Sequence, residues 1–462
     1  MNRISRHLVL ATISAVILVG CRSTKDILRT YDNNIVQGKF ADAAVEPAEK
    51  AEAGGRDALC WQLNVAGAQR LAGNGDEAIR RLDLAEDLFV DYDSRGGVKT
   101  VATDAWSMMS GDYVLPYGGS GQDRIFCCLY KAIEFGVRGN AAAVRTELNR
   151  AAQHQANWLS DRGADLAAAN ERLEADAGAY ARKEGVSVPS ATNSAELAFA
   201  NPGFSDTIRQ RTGFDTATGG RLELLTADDY ANRYLERVRS VFRNYVGDEG
   251  VKPANQVTVF VEDGLCPVRD EWRVDLPTVI IPGLNRYVQY AGMALPELRY
   301  RNAAATAYSL TSGGVNYAMP EIQDVDRLIK TEFDVYFRGA LAREITRAVI
   351  KVGAQVALGA TANGLYHSND RNVQGIAALV TLAQLGVATW SYCSTEADVR
   401  SWNTLPKKVY MLSVPRPADG VITVNCGLNK VRLEAPEGNT MAFVSNLSST
   451  LTPVAKSFTI PN

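Results

Sequence analysis

Residues 66–85 read AGAQRLAGNGDEAIRRLDLA, and they decide the first half of the fold. An alanine-rich stretch breaks at Gly73-Asn74-Gly75-Asp76, residues that favour a turn. Past the break, Ala78, Leu82 and Ala85 recur at spacings of four and three, which aligns them on one face of a helix. The segment is therefore helix, glycine turn, helix. A weaker copy lies upstream, where Gly38-Lys39-Phe40 precedes Ala43 and Pro47 falls inside the expected helix. Another lies downstream, where Ala132 is followed by Gly139-Asn140 and then by Val144, Leu148 and Ala151.

This recurrence resembles the tetratricopeptide repeat, in which small residues let paired helices approach closely. Residues 90–124, with Gly96-Gly97 and Pro116-Tyr117-Gly118-Gly119, read as an inserted loop or partial helix. Helical spacing then persists through Trp158, Leu166, Leu173 and Tyr180, which predicts a helix over 141–183 of about 60 Å. Such a helix would be a spine or a coiled-coil arm.

Periodicity fades over 185–222, a boundary rich in Ser, Thr, Asn, Gly and Pro. Thr226-x-x-Asp229 opens another helix, whose face is Tyr230, Tyr234, Val238, Val241, Phe242 and Tyr245. After Pro253 the character turns to strand: Val257–Val261, then Trp272, Val274 and Leu276 alternating with charged residues, then Val279–Ile281. Asp263-Gly264 predicts a hairpin between the first two, with Glu262 and Asp263 at a solvated tip or as an acid pair. Ala303–Leu310 reads as a further strand, and helices are expected over 324–337, 340–360 and 373–392. The last of these is diluted by Gln374, Gln384, Gly375 and Gly386, so it reads as a buried helix rather than a membrane span. Strands over 409–414, 421–426, 431–433 and 441–444 close the chain. The expected class is α+β. A leader occupies 1–20, a tether 21–30, a tetratricopeptide-like domain 31–184 and a linker 185–225. A mixed helix and strand domain covers 226–404, and a small β unit covers 405–462.

The leader carries the clearest functional signal. Arg3, Arg6 and His7 precede the uncharged run Leu8–Val19, and Leu18-Val19-Gly20-Cys21 follows. A basic head, a short apolar run and small residues before a cut describe a secretory signal peptide. Leu-Val-Gly-Cys resembles the bacterial lipobox, which implies cleavage before Cys21 and acylation of its thiol. Several acyl chains give stable anchoring where one is marginal. In the sorting pattern this resembles, Asp after the cysteine favours the inner membrane, so Arg22 favours the outer.

Losing residues 1–20 removes Arg3 and Arg6 and no acid, so 49 basic residues become 47 against 52 acidic. That mild balance argues against a nucleic-acid partner. Apart from Cys21, six cysteines (60, 127, 128, 266, 393 and 426) form no recognisable framework and read as small buried hydrophobes, with one disulfide left open. Only His154 and His367 remain outside the leader, and no zinc spacing, nucleophile elbow, phosphate loop or dinucleotide fingerprint occurs. A Cys393–His367 pair and a cation held by Glu321, Asp324 and Asp326 are the weak alternatives; the three acids equally suit a helix N-terminus. No catalytic residue, metal or cofactor is expected.

Two further segments stand out, Val259-Phe260-Val261-Glu262-Asp263-Gly264-Leu265-Cys266-Pro267-Val268 and Ala397-Asp398-Val399-Arg400-Ser401-Trp402-Asn403-Thr404-Leu405-Pro406. With the Gly139-Asn140 copy ending in Glu147-Leu148-Asn149-Arg150-Ala151, they resemble a family of uncharacterised Gram-negative lipoproteins. That family has a tetratricopeptide-like N-terminal region, a Val-Glu-Asp-Gly hairpin and an Ala-Asp-x-Arg-Ser-Trp segment before a C-terminal β unit. The likeness runs over residues 31–435. Its members are often encoded beside a small lipoprotein that activates a penicillin-binding protein, and the resemblance implies no catalytic residue. Asp398, Arg400 and Trp402 match its pattern as candidate binding residues. The structural alternative pairs Asp398 with Arg400 and packs Trp402 beneath the strand that Pro406 introduces.

The expected function is a lipid-anchored periplasmic interaction protein, attached to the membrane through Cys21 and engaging an envelope protein, with homo- or hetero-oligomers left open. One alternative is a structural subunit of an export or secretion complex, using the long helix and the Tyr230–Tyr245 face as oligomer contacts. Another is a hydrolase or glycan-binding protein built on two carboxylates.

Overall fold

The structure is a computed structural model, and it describes residues 23–94, 112–160, 202–212, 230–248, 250, 252–275, 292–367, 376, 380–381 and 396–461. The fold is α+β, with helices in the N-terminal part and strands towards the C-terminus. Helices α1 (Thr24–Val36), α2 (Phe40–Ala53), α3 (Ala58–Leu71) and α4 (Gly75–Ser94) pack each on the next. A 3₁₀ turn (Asp112–Val114) leads to α5 (Gly121–Val137), and residues 141–160 are helical as α6. The glycine turns fall where the sequence puts them, and Ala78, Leu82, Ala85, Val144, Leu148 and Ala151 are all buried. Pro47 lies inside α2 without ending it.

Two expectations change here. The tether ends at Ser23, whose hydroxyl accepts from the Asp26 amide and starts α1, and Ile27 and Leu28 are already buried. The Tyr230–Tyr245 face belongs to α8 (Arg233–Val246) and the residues just before it. There Tyr230, Tyr234, Val238, Phe242 and Tyr245 are buried within this chain rather than offered to a second copy. Thr226 and Asp229, the part of 141–183 beyond 160, and most of 373–392 lie outside the described residues. A short helix α7 (Pro202–Thr212) precedes α8.

The strands are β1 (Gln256–Asp263), β2 (Val268–Asp275), β3 (Gly292–Arg299), β4 (Tyr308–Ser312), β5 (Val315–Ala318) and β6 (Glu321–Asp324). After α9 (Val325–Tyr366) come β7 (Lys408–Pro415), β8 (Val421–Cys426), β9 (Asn429–Glu434), β10 (Asn439–Asn446) and β11 (Val454–Ile460). The helices expected over 324–337 and 340–360 are one, because Gly339 weakens a helix without breaking it. No helix among the described residues is long and apolar enough to cross a membrane.

β1 and β2 do not form the expected hairpin. β1 lies in the middle of a five-stranded sheet ordered β11-β10-β1-β7-β6, parallel to β10 and antiparallel to β7. Among the described residues β2 pairs with β3 alone. Gly264 makes the exit at φ +59, where a Cβ would meet the Asn302 carbonyl oxygen at 3.1 Å. A second sheet, β5-β4-β8-β9, packs on the far face of the first. The region expected as a separate β unit is therefore completed by β1, β4, β5 and β6, and a boundary at 404/405 runs through both sheets.

Period-two geometry explains why β1 is buried on both faces. Val257, Val259 and Val261 face the second sheet with Ala442, Val444, Ile422 and Val424. Phe260 faces the helices, stacked on Phe443 at 5.2 Å between ring centroids and next to Tyr234. The order is helices, large sheet, small sheet, and the main core fills the first gap.

Candidate functional site

Residues 396–405 form neither helix nor strand; they run as a strap along α1 and α3. Their backbone polar groups are satisfied by side chains. The Asn64 amide donates to the Ser401 carbonyl at 2.9 Å and its oxygen accepts the Asn403 N–H at 3.0 Å. The Asn403 amide donates to Asp32 at 2.9 Å, and the Arg301 guanidinium donates to the Asn403 carbonyl.

Asp398 and Arg400 meet as a two-pronged pair: Nε to Oδ1 at 2.7 Å and Nη2 to Oδ2 at 3.0 Å. The remaining prong, Nη1, donates to Asp57 at 2.9 Å and to the Leu115 carbonyl at 2.8 Å. The guanidinium also sits 5.5 Å from the centre of the Tyr117 ring. Burial works against the charge on Arg400, but Asp398 and Asp57 outweigh it and raise its pKa. Trp402 is buried; its Nε1–H donates to Thr404 at 3.0 Å and its ring meets Tyr130 edge-on at 5.7 Å. Trp402 thus packs on α3 and α5 rather than under β7. The three residues lie on one strap, Asp398 and Arg400 in mutual contact and Trp402 turned inward beyond them.

Beside the strap opens a cleft of about 460 Å³, and Arg400 is in its wall. The start of α1 supplies Thr24 and Lys25, the turn before α3 supplies Arg56 and Asp57, and the 3₁₀ turn supplies Tyr113. The other wall is Glu271 and Arg273 of β2 with Glu396. Thr24 donates to Asp57 at 2.9 Å, Lys25 pairs with Asp270 at 3.2 Å, and the Arg56 guanidinium lies 5.1 Å from the Tyr113 ring centre. Glu271 is held from both ends, by the Ala397 N–H at 2.8 Å and by Arg273 Nε at 3.3 Å. Burial, then the nearby Glu271 charge, pushes the Glu396 carboxyl above its usual range. The cleft offers fixed charges of both signs, which suits a polar or zwitterionic peptide segment.

The other acids fall differently. Asp324 caps α9 through the Arg327 N–H at 3.0 Å, Glu321 pairs with Lys408 at 2.8 Å, and Asp326 pairs with Lys407. Each thus has its own partner, as helix-end acids do. Glu262 and Asp263 are buried rather than at a solvated tip, and they point to opposite faces of β1. Glu262 receives Arg70 and Ser445 at 2.6 Å each and Tyr234 at 3.2 Å. Asp263 receives Tyr308 and the Ala304 N–H at 2.5 and 2.9 Å. Sequence reading missed these clusters because Arg70 and Tyr308 are distant in the chain.

Glu86, Cys128 and Glu147 bring possible ligand atoms within 4.8 Å of one another. The Lys131 ammonium occupies that place, 2.8 Å from Glu86, 3.3 Å from Glu147 and 2.7 Å from Asp83. The donor set thus suits a resident lysine. Cys60, Cys127, Cys128, Cys266 and Cys426 are free thiols buried in the cores. Cys21 and Cys393 lie outside the described residues, and His367 is exposed at the end of α9.

Comparison of the chain with protein-family models, with curated proteins and with solved structures finds no match in any of the three.

Proposed function

We propose that this chain is a lipid-anchored interaction protein of the bacterial envelope, held through Cys21 at the periplasmic face of the outer membrane. Its helix pairs are read as tetratricopeptide-like, and its pathway as assistance to peptidoglycan-synthesis assembly, on the resemblance alone. The observation that carries the reading is the 460 Å³ cleft whose wall includes Ser23, Thr24 and Lys25. Two residues of chain reach at most about 7 Å, so an acylated Cys21 would keep that cleft at the membrane surface. A partner docking there would be an envelope protein met at the bilayer.

The test is site-specific photo-crosslinking in cells, with the crosslinker at position 56 in the cleft or at position 428 on the β8–β9 turn. The reading expects one envelope protein captured from position 56, not from 428, and lost in Cys21→Ala. Equal capture from both positions, or none from 56, would sink it.

One observation favours the hydrolase or glycan-binding reading: Glu271 and Glu396 share the cleft, and Glu396 is held towards its protonated form. Its test is release of soluble fragments from purified peptidoglycan. Release that disappears in Glu396→Gln would establish it; no release by the wild type would remove it.

A further inference from the structure

We infer that the cleft beside the strap binds a short zwitterionic peptide segment, with a carboxylate on Arg56 and an ammonium on Glu396. This rests on the docking reading above and names the chemistry of what docks. The cleft of about 460 Å³ holds roughly fifteen waters at about 30 Å³ each, room for a peptide of two or three residues.

Most charged groups of the lining are joined to one another or to a neighbour. Arg400 is held by Asp398 at 2.7 Å and by Asp57 at 2.9 Å, and the other Asp57 oxygen takes the Thr24 hydroxyl at 2.9 Å. Lys25 pairs with Asp270 at 3.2 Å, and Arg273 with Glu271 at 3.3 Å. Charges of both signs are mixed along the walls, so no surplus of either sign calls for a lone ion.

Two groups stand apart. Arg56 faces Asp57, but the Asp57 Oδ1 lies 3.7 Å from its Nε, beyond hydrogen-bond reach, and that oxygen already takes Arg400. The Arg56 guanidinium is propped instead on the Tyr113 ring, 5.1 Å from its centre, and the side chain is 44 % exposed. Such a planar fork matches the two oxygens of a carboxylate. On the other wall Glu396 is half-buried and makes no hydrogen bond or ion pair among the described residues. Burial, then the Glu271 charge, outweighs the pull of Arg273, Arg56 and Lys25 on its carboxyl. A ligand ammonium bonded directly to Glu396 brings the donors that those side chains do not. Burial, then Glu396, raises the Tyr113 hydroxyl while Arg56 lowers it, so the ring lies within reach of both charges. A lone carboxylate or a lone amine would satisfy one wall and leave the other.

The test is calorimetric titration of the full-length Cys21→Ala protein with trialanine, N-acetyl-trialanine and trialanine amide. The first carries both charges, the second lacks the ammonium and the third lacks the carboxylate. The expected result is saturable binding of trialanine, weakened at least tenfold by either block. Arg56→Gln should weaken trialanine at least tenfold and the amide no further, with Arg56→Lys in between. Glu396→Gln should weaken trialanine likewise and the N-acetyl peptide no further. Arg432→Gln, on the exposed face of β9, should bind as the wild type does. The assignment is overturned if trialanine does not bind saturably or if either block makes no difference. It is equally overturned if Arg56→Gln or Glu396→Gln binds trialanine as the wild type does, or if Arg432→Gln weakens binding equally. A photo-crosslinker at position 56 replaces the fork but traps even a weakened complex covalently, so the two readouts stay separate. Capture in cells without trialanine binding removes this assignment and leaves the docking reading. Trialanine binding without capture leaves the assignment and removes the docking reading.

Discussion

Glu262 and Arg70 meet where neither could remain charged alone. Their side chains are 3 % and 6 % exposed, and the Arg70 guanidinium also lies 3.8 Å from the centre of the Tyr130 ring. Breaking such a pair strands a buried charge and costs about 3–5 kcal/mol, whereas replacing both partners with apolar groups is far milder. Glu262→Leu should therefore lower stability by that amount in urea unfolding, and Arg70→Met added to it should recover most of the loss. A double variant as unstable as the single one would refute this account. Asp326 provides the pH test. Burial, opposed by Lys407, pushes its carboxyl up to about 6. A carboxyl with a raised folded pKa binds its proton more tightly in the native state, so its contribution is full below about pH 4 and lost as pH rises through about 6. The wild type should lose roughly 2–3 kcal/mol relative to Asp326→Asn across that window, and the two urea midpoints should run parallel above it. Parallel curves throughout would show that Asp326 titrates normally.

At the level of elements, the strap and α3 touch through a glycine. A Cβ on Gly67 would stand 1.8 Å from Thr404 Oγ1 and 3.0 Å from Trp402 Nε1. Gly67→Ala should wedge the strap away, lower stability by about 1–3 kcal/mol as overpacking does, and shift Trp402 fluorescence. Thr404→Ala in the same chain removes the nearest clashing atom and should return part of the loss; no recovery would place the strain elsewhere. Helix pairs, the α8 face and the apolar run of β1 were legible in sequence because each depends on residues within a few positions. The β1–β2 hairpin was misread because two strand-like runs and an Asp263-Gly264 turn mark strands without naming their partners. Glu262 and Asp263 were read as solvent-facing because charged residues usually are. Asp398 and Arg400 were legible as a pair, being two residues apart, but their ties to Asp57 and Leu115 were not.

At the level of the molecule, both sheets combine strands from either side of the strap. A chain ending at residue 404 loses β7 to β11, which leaves β1 with neither neighbouring strand and takes β8 and β9 from the sheet that covers it. It should fail to give a cooperative thermal transition by circular dichroism. A cooperative melt would mean that residues 23–404 fold alone and that the shared sheet is dispensable. The chain by itself determined the α+β class, the glycine turns and the amphipathic faces, since all of these are written in local spacing. Tertiary structure alone decided the strand order, the burial of Glu262 and Asp263 and the cleft beside Arg400. Those rest on contacts such as Arg70 to Glu262, 192 residues apart, whose partner no local pattern can name.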